Sequence, residues 1–201
     1  NLENLEELWL GKNKIERISG LESLTKLRRL DVQSNRLTTL EGLTTSQVDT
    51  LEELYLSHNG ITNEGASIGL SLPFTKLSII DMSRNRLTST APFAHLGASL
   101  EDLWVSGNQM ESIDDLAESL ASLTKLDVIY LEYNPLQKGD PLYRKRLKEL
   151  IPSLSQIDAN MIRPNEFSAA PPALPAQTME EQLRQLQDRV VQKAQEQTKR
   201  E

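Results

Sequence analysis

Residues 51–61 read Leu51-Glu52-Glu53-Leu54-Tyr55-Leu56-Ser57-His58-Asn59-Gly60-Ile61, a phrase of the form L-x-x-L-x-L-x-x-N-x-L with apolar residues admitted at the leucine positions. Working outward, the same phrase recurs on both sides. Upstream it places Leu5, Leu8, Leu10, Asn13 and Ile15, then Leu27, Leu30, Val32, Asn35 and Leu37. Downstream it places Leu77, Ile80, Met82, Asn85 and Leu87, then Leu100, Leu103, Val105, Asn108 and Met110, and last Leu126, Ile129, Leu131, Asn134 and Leu136. Successive asparagines lie 22, 24, 26, 23 and 26 residues apart.

Six such phrases at a period of roughly 20–29 residues are the signature of a leucine-rich-repeat solenoid, an α/β architecture. Side chains alternate in the short L-x-L strand, so the leucines point inward and the residue between them points to the opposite, solvent-facing side. Stacked phrases give one curved parallel sheet on the concave side. The asparagine sits where the chain leaves the strand, with an amide suited to bonding backbone groups of adjacent turns. Between phrases, apolar residues at three-residue steps such as Ile18, Leu21 and Leu24 predict short 3₁₀ or helical turns on the convex side. Longer spacers at 44–50, 63–75 and 91–99 are expected to bulge there or to carry an extra helical turn.

The repeats organise the chain. Residues 1–137 hold six repeats, beginning inside a repeat unit without a polar capping element, so further repeats are expected upstream. Residues 138–163, with Tyr143, Leu147, Leu150, Pro152, Leu154 and Ile157-Asp158, read as a C-terminal cap on the last turn. Residues 164–177 form a Pro/Ala-rich linker. Residues 178–201 read as an amphipathic tail helix, opened by a Thr178 to Glu181 capping box and striped with Met179, Leu183, Leu186, Val190 and Ala194. That helix either packs on a partner or second copy, or is a loosely ordered polar tail.

Composition removes several function classes. The apolar runs fall far short of the roughly 20 residues a membrane-spanning helix needs, and no signal peptide is visible. Cysteine is absent, which excludes disulfides, thiolate chemistry and Cys-type zinc sites and fits an intracellular protein. A formal net charge of −7 argues against nucleic acid as a partner, because a phosphate backbone is held by Lys and Arg. Neither a nucleophile constellation nor a Gly-rich phosphate loop is present, so no enzymatic role and no cofactor is expected. His58 at a strand exit and His95 in a spacer are read as structural rather than catalytic or metal-binding.

A protein-binding face is expected instead. The residues between the inner leucines are Trp9, Asp31, Tyr55, Asp81, Trp104 and Tyr130, a column running roughly 25 Å across strands about 4.8 Å apart. Four of the nine aromatic residues of the chain fall on these six positions, and Trp and Tyr are enriched at interface hot spots. Two positions earlier stand Glu7, Arg29, Glu53, Ile79, Asp102 and Val128. Carboxylates of Asp31, Glu53, Asp81 and Asp102 interleaved with rings suit a basic partner surface. The competing reading is that the rings merely stack on one another to cover the strands.

The wording of several phrases is more specific than a generic repeat. Leu8-Trp9-Leu10-Gly11-Lys12-Asn13-Lys14-Ile15, Glu53-Leu54-Tyr55-Leu56-Ser57-His58-Asn59-Gly60-Ile61 and Tyr130-Leu131-Glu132-Tyr133-Asn134-Pro135-Leu136-Gln137-Lys138, followed by Pro141, Tyr143-Arg144 and Gln156-Ile157-Asp158-Ala159, resemble the leucine-rich-repeat regulatory subunits of protein phosphatase 1, the regulatory subunit 7 type. The resemblance covers residues 1–163. It implies a non-catalytic scaffold that holds the phosphatase catalytic subunit on its concave face and controls its maturation, storage or activity. It carries contact roles to Trp9, Asp81, Asp102, Trp104 and Tyr130, and implies association with inhibitor 3, a nuclear and cytoplasmic location, and a part in the cell cycle and chromosome segregation. Three enlarged spacers depart from the uniform family repeat, and Arg189-Val190-Val191-Gln192 begins like a phosphatase docking motif but lacks its aromatic anchor. An adaptor of the same repeat type for a splicing or cytoskeletal partner is the alternative.

Overall fold

The computed structural model describes residues 2–167. The chain divides into a unit spanning Asn1–Pro164 and a second, Asn165–Glu201. The expected linker from residue 168 onward and the expected tail helix lie outside the described residues.

Each phrase forms a three-residue strand: β1 (Glu7–Trp9), β2 (Arg29–Asp31), β3 (Glu53–Tyr55), β4 (Ile79–Asp81), β5 (Asp102–Trp104) and β6 (Val128–Tyr130). They pair in parallel and in chain order. A parallel β7 (Gln156–Ile157) extends the sheet, and β8 (Asn160–Met161) closes it antiparallel to β7, a reversal that the repeat pattern does not predict. The middle residues Leu30, Leu54, Ile80, Leu103 and Ile129 are fully buried beneath the sheet. Burial of one such side chain is worth about 1.5–3 kcal/mol, and the stack repeats that gain at every turn.

The asparagines bind the turns to one another. Asn85 donates through Nδ2 to Leu56 O of the preceding turn and Met82 O of its own, each at 3.0 Å, while its Oδ1 accepts from Ile61 N at 3.0 Å. Asn35, Asn59, Asn108 and Asn134 repeat this three-way arrangement with their own neighbours. Asn13 bonds only to Leu10 O and Gly11 O within its own turn. The residue before each asparagine takes a left-handed conformation: Lys12, Ser34, His58, Arg84 and Tyr133 at φ of 54–60° and Gly107 at 67°. A non-glycine residue there costs roughly 1–2 kcal/mol, which the ladder of amide bonds offsets.

Spacer length is absorbed on the convex side. The stretch after Thr44 makes a 3₁₀ turn (Thr45–Gln47) in which Gln47, fully buried, accepts from Thr44 N and donates to Leu21 O at 2.7 Å. The next enlarged spacer forms α1 (Asn63–Leu70), N-capped by Thr62. Gly65 and Gly69 let this helix lie against the previous turn, since a Cβ on either would come within 2.0 Å of Thr38 O or 2.4 Å of Leu40 O. A 3₁₀ helix over Ala91–Leu96 follows, then a 3₁₀ turn (Asp114–Leu116) leading into α2 (Ala117–Ala121).

After β6 come α3 (Pro135–Gly139) and α4 (Tyr143–Leu150). In earlier turns the N–H groups just past a strand donate to the next turn's backbone, as Val105 N does to Tyr130 O. At the last turn Asp158 takes over: its Oδ1 accepts from Leu131 N at 2.9 Å and Glu132 N at 3.0 Å. The Tyr143 hydroxyl donates to the same carboxylate, and α4 thereby shields the end of the stack.

Asn85→Leu leaves Ile61 N unpaired in the interior and strips one of two amide donors from each of Leu56 O and Met82 O, which keep those of Asn59 and Asn108. It is expected to lower unfolding free energy by about 3 kcal/mol or more in urea titrations, whereas Asn13→Leu costs less than about 1 kcal/mol because the groups it serves stay near solvent. Equal losses would contradict the cross-turn role of the amide.

Candidate functional site

The outward residues of β1 to β6 lie in strict register, Trp9 beside Asp31, then Tyr55, Asp81, Trp104 and Tyr130. Their environments differ. Trp9 is 57% exposed, and Tyr55, Trp104 and Tyr130 are half-buried. Asp31 and Asp81, expected as open carboxylates, are instead buried at 3% and 9% exposure. Each turns back on its own strand, where Asp31 Oδ1 accepts from Gln33 N at 3.0 Å and Asp81 Oδ1 from Ser83 N at 2.9 Å. A short carboxylate reaches the N–H two residues on, and the taller rings on either side close over it.

Two clusters result. At the N-terminal side the Arg29 guanidinium lies 4.1 Å from the Trp9 ring centre and 4.5 Å from that of Tyr55, above Asp31. Arg29 also pairs with Glu53 at 3.0 Å, and Glu53 accepts the Tyr55 hydroxyl at 2.9 Å. The basic side chain that the rings and carboxylates were expected to draw from a partner is here supplied by the chain itself. Toward the C-terminal side, Trp104 meets Tyr55 edge-on at 6.3 Å across Asp81 and meets Tyr130 at 5.7 Å. The rings therefore do stack, and they leave a hollow beside them.

That hollow, about 620 Å³, is lined by Trp104, Ser106, Gly107, Tyr130, Glu132 and Tyr133, with Ser83 and Arg84 at its side. Trp104 Nε1 and Ser106 Oγ are buried without a hydrogen-bond partner. An unpaired buried donor costs about 1–3 kcal/mol until an acceptor reaches it. Glu132 has its carboxyl pKa raised by burial and then by the charge of Asp158. Tyr133, 70% exposed, and Gly107 lie at left-handed positions before the asparagines, where the inward-outward alternation gives no warning of a site. Gln156, which the sequence marks only as part of the cap motif, donates to the Tyr130 hydroxyl at 2.8 Å.

The margin where the chain runs into the strands is acidic. Stacked there are Glu6, Arg28, Glu52, Ser78, Glu101 and Asp127, each linked to the next by backbone hydrogen bonds. Arg28 neutralises the first part by pairing with Glu52 at 2.7 Å and Glu6 at 3.7 Å, and its hydrogen bond holds the Glu52 carboxyl below the usual range. Farther along, Asp102 is half-buried and its pKa is raised, by burial first and then by the charges of Asp127 and Glu101. Among the described residues no Lys or Arg forms an ion pair with these three acids. The expected site residues thus separate: Trp9, Asp31, Glu53 and Tyr55 surround Arg29, Trp104 and Tyr130 line the open hollow, and Asp102 stands at the leading margin beside Glu101 and Asp127. Among the described residues no group of three or more His, Cys, Asp or Glu could hold a metal ion, and no helix is long and apolar enough to cross a membrane.

The Tyr55 phenol is pushed up to about 12 by burial, its hydrogen bond to Glu53 and the Glu53 charge. Its neutral form is favoured in the folded state, so this contribution to stability is complete below about pH 10, the ordinary tyrosine value, and is lost as pH rises toward about 12. Spectrophotometric titration at 295 nm should show a late tyrosine step near pH 12 that Tyr55→Phe removes; an unchanged profile would place Tyr55 in an ordinary solvated setting.

Comparison with known proteins follows this geometry. Family profiles described as "Leucine Rich repeats (2 copies)" and "Leucine Rich repeat" match residues 3–45 and 50–67. The chain is 42% identical over 65 residues to the Schizosaccharomyces pombe protein phosphatase 1 regulatory subunit SDS22, covering 32% of this chain and 20% of the relative. It is 42% identical over 113 residues to the Arabidopsis thaliana protein phosphatase 1 regulatory inhibitor subunit PPP1R7 homolog, covering 56% and 33%. Human podocan-like protein 1 is 34% identical over 153 residues, covering 74% and 29%. The chain therefore spans a third or less of the length of these relatives. The Leptospira interrogans leucine-rich-repeat protein LIC12759 superposes with a TM-score of 0.59 at 26% identity, over 77% of this chain and 37% of that one. With six phrases in register and the asparagine ladder joining them, the chain is a leucine-rich-repeat protein, and its repeats are similar to those of protein phosphatase 1 regulatory subunits.

Proposed function

We propose that this chain is a non-catalytic regulatory scaffold for protein phosphatase 1, which holds the catalytic subunit on the C-terminal half of its concave face. The observation that carries the reading is the hollow beside Trp104 and Tyr130, with its two unpaired donors, on strands whose leading margin carries the unneutralised acids Glu101, Asp102 and Asp127. A basic protein surface fits it. A Lys or Arg stem can lie on a ring while its charge approaches a carboxylate, and a partner carbonyl can accept from Trp104 Nε1. Partial likeness to named phosphatase regulatory subunits supports a phosphatase as the partner. The finer parts of the reading are control of phosphatase maturation, storage or activity, inhibitor 3 in the same complex, residence in nucleus and cytoplasm, and service in the cell cycle and chromosome segregation.

Trp104→Ala is expected to weaken binding to the phosphatase catalytic subunit by about 2–4 kcal/mol, as for a central aromatic anchor, with the circular dichroism spectrum unchanged. Calorimetric titration measures it, and undiminished affinity would remove Trp104 from the contact. Pull-down from cell extract followed by identification of the main bound protein tests the partner class. Recovery of the phosphatase catalytic chain is expected; a splicing factor or cytoskeletal protein in its place would overturn the assignment.

A further inference from the structure

The opposite margin of the sheet, where the chain runs out of the strands, has the reverse charge. Backbone hydrogen bonds stack the residues before the ladder asparagines into one row, Lys12, Ser34, His58, Arg84, Gly107 and Tyr133. The residues after them form a second row, Lys14, Arg36, Gly60, Arg86 and Gln109. Five cations and a histidine, all exposed, thus occupy the first four turns. Of these, Arg36 pairs with Glu16 at 3.7 Å; Lys12, Lys14, Arg84 and Arg86 form no ion pair among the described residues. On a chain of formal net charge −7 this is a local concentration of positive charge, facing across the sheet from the acidic margin.

We propose that this trailing margin is a second docking strip, for a short, extended, acidic segment of a protein. The basic length is limited to four turns, about 15 Å at 4.8 Å per strand, which roughly five extended residues cover. Carboxylates from alternate residues of such a segment reach the cations of the first, second and fourth turns. Left-handed backbone before each asparagine holds the first row in fixed positions, so the strip is already arranged before binding. A longer polyanion is disfavoured, because the rows lose their cations at Gly107 and Gln109, and the fifth and sixth turns carry Glu111 and Glu132 close by in the chain. The basic strip meets the ring-lined hollow at Arg84 and extends away from it through Lys12, Lys14, Arg36 and Arg86, and it does not depend on the phosphatase reading.

Fluorescence polarisation on the whole chain tests it, using a labelled oligoglutamate of about eight residues, a glutamine peptide of equal length and an oligonucleotide of equal charge. Binding of the oligoglutamate alone is expected, weakened about tenfold or more by Arg84→Glu with Arg86→Glu. Lys76→Glu with Lys125→Glu, the same charge change made outside the strip, should leave it within about twofold. Equal losses in the two double variants, no binding of oligoglutamate, or tighter binding of the oligonucleotide would each overturn the proposal. If thermal melting shows the arginine variant unfolded, Lys12→Glu with Lys14→Glu replaces it under the same criteria.

Discussion

The three-way hydrogen bonding of the ladder asparagines is the constraint on which the rest of the structure depends. Each amide satisfies backbone groups from two turns at once, donating to both and accepting from one. A carboxylate could not do this, because it has no donor; an apolar residue would leave an interior N–H bare and take one of two donors from each carbonyl. At the end of the stack the requirement reverses, since the groups left over are the N–H donors of Leu131 and Glu132, and there the residue is Asp158. Because the ladder aligns the turns whatever lies between them, spacings of 22 to 26 residues yield strands in identical register. Surplus residues emerge on the convex side as α1 and the 3₁₀ helix over Ala91–Leu96.

The inner half of this arrangement is legible in the sequence because burial follows position. A leucine at either side of the strand centre has one direction to point, and every turn repeats the choice. The outer half is less legible because residue type does not settle what a side chain does there. Asp31, Asp81 and Asp102 look alike in sequence. Asp31 and Asp81 lie at the strand's end, within reach of an N–H two residues on, and flanking rings cover them; Asp102 lies at the strand's start, where burial and the charges of Asp127 and Glu101 raise its pKa. Arg29 fills the space between Trp9 and Tyr55 only because those rings stand one turn to each side of it, a lateral relation that register reveals. The antiparallel β8 has two residues and no periodic signal.

Those lateral relations divide the concave face. From β1 to β3 the rings, Arg28 and Arg29 and the neighbouring glutamates pair with one another, Arg29 Nε alone of that cluster being buried without a hydrogen-bond partner, so an approaching partner must displace contacts already made. From β4 to β6 the positions equivalent to Arg29 hold Ile79, Asp102 and Val128, so no guanidinium stands over Trp104 and Tyr130 and no counter-charge meets Asp102. The unpaired indole N–H and Ser106 hydroxyl lie on this side as well.

This division bears on affinity more than on fold. Net binding free energy is the surplus of new contacts over those given up, including desolvation of groups already content with their neighbours. The Arg29 cluster offers little surplus despite its two rings, because its cation and carboxylate are already matched. The Trp104 hollow offers more: a partner acceptor relieves buried donors that are unsatisfied in the free chain, and a partner cation lowers the repulsion among three adjacent acids. Exposure alone would rank Trp9, at 57%, above Trp104. Unmet hydrogen bonding and unneutralised charge reverse the order, and the proposed docking of a partner beside Trp104 rests on them.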